Sequence, residues 1–358
     1  MTLGREMNNK SVSVKIEGRS IGKDFPPYVI AEISGNHNGK IDNAIDLITS
    51  AKEAGADAVK IQTYTPDTIT IKSERDEFKI KGGLWDGYKL YDLYEKAHTP
   101  WEWHKTLFEH AKNIGVTIFS SFSDDTAVDF LEELGCPAYK IGSAELIDLP
   151  LICKAASTGK PMLISTGMAI EEEIDEAVET ARLNGCSEII LLHCTSAYPS
   201  THKEANLKRI AELQKKFDSV VGLSDHTLDN VTSLVSIPIG ASIIEKHIVL
   251  SKNEETVDSK FSIDVLELRD LIKDVNNAWL SLGLSNFKVT KGEQASYKYR
   301  PSIYVIKDLY IGDLISNDSI KIIRPGLGIK PKFYDKVIGM KVNTDIVRGT
   351  PLSWDMIS

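Results

Sequence analysis

VVGLSDHTLDN, residues 220–230, begins as a strand that a protein buries on both faces and ends abruptly on Ser224, Asp225 and His226. A continuously apolar run of this length fits a parallel strand covered on both sides. Reactive side chains at its carboxyl end fit a strand that opens on a site. Seven further runs repeat the pattern outward from it: YVIAEIS (28–34), AVKIQTY (58–64), TIFSSF (117–122), AYKIGS (138–143), MLISTG (162–167), IILLHC (189–194) and SIIEKHI (242–248). Between them lie helix-period segments such as NAIDLITSAKEAGA, WEWHKTLFEHAKNIG, DTAVDFLEELG, EEIDEAVETARLNG and NLKRIAELQKKF, several closed by a glycine suited to the left-handed C-terminal position. DVLELRDLIKDVNNAWLSLG follows the last strand. Eight strand–helix alternations predict an α/β protein built on a (β/α)8 TIM barrel over residues 1–285, with a doubly wound open sheet as the alternative.

Two segments break the rhythm. About 35 residues, PDTITIKSERDEFKIKGGLWDGYKLYDLYEKAHTP, separate the second strand from its helix, where such loops usually have about two to six. Leaving from a carboxyl end, this segment is expected to overhang the barrel mouth. After residue 285 a polar linker (286–298) leads to a small domain (299–358), where SIYVIKDLYIGDLI and SIKIIRPGLGIKP read as short strands separated by turns. That tail carries nine Lys+Arg against six Asp+Glu in a chain of net charge -9. The acidic balance argues against nucleic-acid or anionic-membrane partners. Four cysteines without a C-x-x-C pair suggest reduced thiols. The N-terminal MTLGREMNNKSVSVKIEG has no apolar run of signal-peptide length, and a cytoplasmic protein is expected.

Polar residues at the carboxyl ends of barrel strands form one set, because those ends converge. The set comprises Glu32 and Asn36; Lys60 and Gln62; Ser121; Lys140, Ser143 and Glu145; Ser165; His193 and Ser196; Ser224, Asp225 and His226; Glu245, Lys246 and His247. A lysine within AVKIQT or AYKIGS is costly to bury without a partner. Lys60 and Lys140 therefore read as ligands for a phosphate or carboxylate, or else as ion-pair partners of Glu32 or Glu145. With Ser121 and Ser143 they suit an anion carrying both groups. His226 and His247 end adjacent strands and could share one divalent metal. Each alone would read as a hydrogen-bonded core residue. His37 in AEISGNHNG is a loop-shaping residue or a third ligand, and Glu32 a carboxylate able to hold sugar hydroxyls or act as a base. Asp225 alternates to the face opposite Ser224 and His226, which assigns it a supporting role.

With these residues assembled, the chain resembles the sialic acid synthase family, which condenses phosphoenolpyruvate with an acetamido sugar. The motifs run from AEISGNHNG through VKIQTY, YKIGSAE, STGMA, HCTSAYP, GLSDHT and EKH to IIRPGLGIKP. The loop GLWDGYKLYDLYEKAHTPWEWH is similar to that of members acting on 2,4-diacetamido-2,4,6-trideoxy-L-altrose. Ser196 stands where members taking N-acetylmannosamine carry Asn, and Phe122 where the family usually has proline.

The resemblance implies a C-terminal antifreeze-like (SAF) domain in a domain-swapped homodimer, with Arg324 reaching the sugar bound in the partner subunit. It implies phosphoenolpyruvate held by Lys60, Gln62, Ser121, Lys140, Ser143, Glu145 and Ser224, and sugar held by Ser196, Tyr198 and Asp258. Asp258 also reads as a turn cap. His226 and His247 would hold Mn²⁺, with Mg²⁺ or Co²⁺ as alternatives, and polarise the sugar aldehyde. Glu32 would position that aldehyde or transfer a proton. The same chemistry on N-acetylmannosamine or on 2,4-diacetamido-6-deoxymannose remains the alternative.

Overall fold

In the computed structural model, which describes residues 12–358, the eight apolar runs close into one parallel barrel. A short antiparallel hairpin, β1 (Val14–Ile16) and β2 (Arg19–Ile21), precedes it. The barrel strands are β3 (Tyr28–Glu32), β4 (Ala58–Thr63), β5 (Thr117–Phe122), β6 (Tyr139–Ile141), β7 (Met162–Ser165), β8 (Ile189–Cys194), β9 (Val220–Asp225) and β10 (Ile243–Val249). Neighbours pair in chain order, and β10 pairs with both β9 and β3. That double pairing closes the sheet and rules out the open alternative. A two-residue strand, β11 (Ile263–Asp264), extends β10. Every residue of β3, β7, β8, β9 and β10 is buried, as apolar runs under a full coat of helices must be.

Local chemistry sets the helix ends. The helix Ile41–Ala54 stops at Gly55 and Trp101–Ile114 at Gly115, each glycine at positive φ. The last barrel helix, Val265–Leu282, starts with a capping box in which Asp264 accepts from the Glu267 N–H and the Glu267 carboxylate accepts from the Asp264 N–H. Each outer helix turns an apolar stripe inward; Leu47, Ile48 and Ala51 of the first are fully buried. Such a leucine contributes about 2 kcal/mol in area removed from water.

The N-terminal hairpin has no counterpart in the sequence expectations. Its backbone donates from Lys15 N–H to Glu188, just ahead of β8, and Glu17 accepts from Thr117 at the start of β5. It therefore caps the amino-terminal end of the barrel, opposite the site. The expectation about the extreme N-terminus falls on residues 1–11, which lie outside the described residues.

The chain divides into two compact units, residues 1–283 and 284–358. The second opens with a helix, Lys291–Tyr297, inside the segment read as a linker. It continues with an antiparallel pair, β12 (Ser302–Val305) and β13 (Ile320–Ile323), over a core that includes Ile303, Val305, Ile315, Val337 and Leu352. Among the described residues no helix is long and apolar enough to cross a membrane.

Candidate active site

Alternation along each strand decides which side chains enter the barrel. On β10, Glu245 and His247 point inward and Lys246 outward; on β9 and just beyond it, Ser224 and His226 point inward and Asp225 outward. Lys60 and Gln62 enter from β4, Ser121 from β5 and Lys140 from β6. They line a cavity of about 400 Å³, within the usual range for small-molecule sites.

The cavity floor is ionic. The Lys60 ammonium lies 2.9 Å from Glu32 and 3.5 Å from Glu245. Lys140 lies 3.9 Å from Glu245 and donates to the Ile141 carbonyl at 3.2 Å. Of the two ion-pair partners expected from sequence, Glu32 binds Lys60 while Glu145 binds neither lysine. Glu245 stands between the ammoniums instead, a position created when β10 closes the barrel. Burial raises the Glu245 pKa, but Lys140, Lys60 and the Ser224 hydroxyl, donating at 2.9 Å, outweigh it and leave it below its ordinary value. Burial pushes Lys140 down, and the neighbouring Lys60 charge adds to this against the pull of Glu245. Lys60 is raised, because its two carboxylates overcome burial.

Glu32 differs from its expected place. It is fully buried beneath Lys60 and Gln62 and does not line the cavity. Burial pushes it up to about 7 against the pull of Lys60. Gln62 Nε2 donates to Glu32 at 3.2 Å and to Ser34 Oγ at 3.1 Å, and the Ser34 hydroxyl donates to Asp258. A hydrogen-bonded chain thus runs from the floor to Asp258 at the wall. The Asp258 carboxylate also accepts from the Gly35 N–H at 3.1 Å. It makes no cap bond to the helical turn Ser259–Phe261 that it precedes, which removes the turn-cap reading.

Ser143 and Ser196 meet over Gly167. A Cβ there would collide with Ser196 Oγ and lie 2.7 Å from Ser143 Oγ, so only glycine allows both hydroxyls to approach. The Gly167 N–H donates to Ser143 at 3.1 Å, and the Ser143 hydroxyl has the Cys194 thiol as a further partner, whose ionised form it favours. Glu145 is half-buried over Gly142, and burial raises its pKa. Ser121 sits in regular pairing between Gln62 and Lys140, and Phe122 packs edge-on against Tyr139 at 5.4 Å.

Across the floor the His226 and His247 rings lie 5.4 Å apart, with Phe261 4.8 Å from His247 and Tyr198 4.5 Å from His226. His226 Nδ1–H donates to the Thr195 carbonyl at 3.0 Å, leaving Nε2 as a lone-pair donor. His247 Nδ1 is buried without a hydrogen-bond partner. Burial and the charge of His226 hold His247 well below its ordinary value. Burial opposes charge on His226 and on Cys194, but each favours the ionised form of the other, so the imidazole is raised and the thiol lowered. No cluster of three or more His, Cys, Asp or Glu suited to a metal occurs among the described residues. Two imidazoles with open space beside them, His226 giving up its extra proton when an ion arrives, fit a divalent ion that completes its shell with ligand and solvent oxygen.

Several residues gathered from sequence turn away. Asn36 donates to the Ile248 carbonyl at 2.7 Å and to Ser262, and the His193 ring bonds the Ala205 carbonyl at 2.6 Å. His37 accepts from the Gly39 N–H at 3.1 Å and packs edge-on against Trp103, the loop-shaping alternative. Cys194, next to His193, is the β8 residue that enters the cavity and was missed; period-two alternation from Ser196 would have found it. Ser165 is buried at the wall. Arg324 is exposed on the second unit.

The sequence profile of the NeuB family matches residues 47–286, and that of the SAF domain matches residues 300–358. Pseudaminic acid synthase of Helicobacter pylori is 42% identical over 333 residues, covering 93% of this chain and 98% of that protein. N,N'-diacetyllegionaminic acid synthase of Legionella pneumophila is 34% identical, covering 96% of this chain and 98% of that protein. Among solved structures, spore coat polysaccharide biosynthesis protein SpsE of Bacillus subtilis aligns with a TM-score of 0.67 at 29% identity, covering 97% of this chain and 99% of that one.

Proposed function

The chain belongs to the NeuB family, and from that premise we propose that it is a synthase condensing phosphoenolpyruvate with 2,4-diacetamido-2,4,6-trideoxy-β-L-altrose and water to give pseudaminic acid and phosphate. The observation that carries this reading is the half-satisfied Lys140 ammonium. It is buried and bonded to one carbonyl, with its carboxylate partner 3.9 Å away, beside a second buried ammonium. Such a pair is stabilised by an arriving anion.

Lys60 and Lys140 bind the phosphate and carboxylate of phosphoenolpyruvate, with Ser121 and Ser143 orienting it, while Gln62 and Ser224, whose protons go to Glu32, Ser34 and Glu245, hold the floor beneath it. Glu145, whose pKa burial raises against the pull of Lys140 and Lys60, lines the same end of the cavity. Ser196, Tyr198 and Asp258 hold the sugar so that its aldehyde carbon faces carbon 3 of phosphoenolpyruvate. The C–C bond forms there; water adds at carbon 2; phosphate leaves by C–O cleavage, its charge met by the two lysines. Glu32, with a pKa of about 7, can release or take up a proton through its bonds to Lys60 and Gln62. His226 and His247 would hold a divalent cation, Mn²⁺ in this reading; when bound it supplies Lewis-acid polarisation of the aldehyde.

The SAF domain is assigned to a domain-swapped homodimer in which Arg324 reaches an acetamido group in the partner subunit's barrel. A cytoplasmic site of action agrees with four unpaired cysteines and with the supply of phosphoenolpyruvate. Phosphate release measured with purified protein on the altrose sugar, 2,4-diacetamido-6-deoxymannose and N-acetylmannosamine tests the reading. The altrose derivative should have the highest kcat/KM; preference for either other sugar would move the assignment to legionaminate or N-acetylneuraminate synthesis.

A further inference from the structure

The cavity is chemically divided. Its floor is ionic, whereas the part contributed by residues 65–99 presents mainly hydrocarbon: Ile69, Ile80, Trp85, Leu93 and Ala97, with Tyr94, set edge-on against Tyr64, carrying a hydroxyl beside them. A folded-back segment holds this roof in place. Lys79 pairs with Lys89 across an antiparallel bridge, Ile80 N–H donates to the Tyr88 carbonyl at 2.9 Å, and Tyr88 N–H donates to the Trp85 carbonyl at 3.0 Å. At the tip, Trp85 Nε1–H donates across the mouth to the Val257 carbonyl at 3.2 Å. Its ring lies 5.6 Å from Tyr198 and 6.0 Å from Phe261. The only polar atom of the indole is therefore engaged, and what the ring offers the cavity is an apolar face.

We infer that Trp85, with Ile80 beside it, is a specificity-determining residue that selects an acetamido sugar ending in a methyl rather than a hydroxymethyl group. A ligand anchored by its anionic partner at the floor extends toward this roof, where a terminal hydroxyl set against Trp85 and Ile80 would lose its water without gaining an acceptor from either. A methyl loses nothing there. The inference rests on the proposed condensation and adds which end of the sugar the loop reads.

The test compares kcat/KM for 2,4-diacetamido-2,4,6-trideoxy-L-altrose with that for the same sugar bearing a 6-hydroxyl. The wild-type protein should prefer the 6-deoxy sugar by about tenfold to a hundredfold, the range one group is worth against an apolar pocket. Trp85→Ala and Ile80→Ser should each shrink that ratio by several-fold, while Trp85→Phe, which keeps a ring and loses the bond to Val257, should retain most of it. Equal loss of activity on both sugars in Trp85→Ala and Ile80→Ser, with the ratio unchanged, would overturn the inference and leave the function intact. Wild-type protein that releases phosphate with neither altrose sugar would instead remove the functional reading and this inference with it.

Discussion

The Lys246 ammonium lies 2.8 Å from Asp225 on the outer side of the barrel wall, back to back with His226 and His247, the residues that follow them in sequence. Lys246 is fully buried and also donates to the Thr227 and Asp229 carbonyls at 2.8 and 2.9 Å; Asp225 also accepts from Ser233 and Thr227. Every ammonium proton has a partner, so this lysine has none left for a ligand. The pair ties the end of β9 to β10 and fixes the spacing of the two imidazoles. Lys246→Met leaves a buried carboxylate without its cation and should cost about 3–5 kcal/mol, read by urea unfolding. The double change with Asp225→Asn should cost clearly less than the sum of the single changes. Additive costs would show that the two do not act as a unit.

The inward lysines should behave differently from Lys246 and from each other. Lys140→Met should raise the KM for phosphoenolpyruvate by about tenfold to a hundredfold, the worth of a charge-assisted hydrogen bond, and leave the sugar KM nearly unchanged. Lys60→Met should do the same and also destabilise the fold by about 3–5 kcal/mol, because Glu32 and Glu245 would lose their shared cation. Steady-state kinetics with both substrates and urea unfolding separate the effects. A Lys140 variant with unaltered KM for phosphoenolpyruvate would remove that residue from anion binding.

Chelation provides an independent check on the imidazoles. Protein stripped of divalent ions should lose at least about a hundredfold in activity and recover it with Mn²⁺, and His226→Ala should weaken Mn²⁺ binding in calorimetry. Unchanged Mn²⁺ affinity in His226→Ala would refute its assignment as a ligand.

These roles are legible in the sequence to different depths. Apolar runs interrupted by Lys60, Lys140 or His226 mark buried strands that carry chemistry, because a core strand tolerates a charged or titrating group only where a partner or a ligand meets it. The direction of Asp225 follows from alternation alone. The central place of Glu245 does not, since it exists only because β10 pairs with both β3 and β9. Trp85 is lost in an aromatic-rich loop whose internal pairing has no sequence period. The N-terminal hairpin does carry a local signal. Glu17 and Gly18, both at positive φ between VKI and RSI, form the two-residue turn that favours hairpins.

Buried histidines away from the cavity should make the fold sensitive to mild acid. His104 is fully buried; its Nδ1–H donates to the Pro100 carbonyl at 3.1 Å, and Nε2 accepts from Thr63 at 2.8 Å. Burial pushes it down to about 4, and His37 likewise. Above pH 6.5 both folded and unfolded forms are neutral, and the stability of this arrangement is fully present. As pH falls from 6.5 toward 4 the unfolded chain takes a proton that the folded chain refuses, so stability drops by about 1.4 kcal/mol per pH unit for each such ring. Glu32, raised to about 7, contributes the opposite sign between pH 4.5 and 7, because there the folded chain holds the extra proton. The difference between wild type and His104→Gln isolates the imidazole, since Glu32 is common to both. Urea unfolding at pH 6.5 and 5.0 should show that the substitution reduces the acid-induced loss by about 2 kcal/mol. Parallel pH dependences in the two proteins would mean that His104 titrates in the folded state as it does in the unfolded chain.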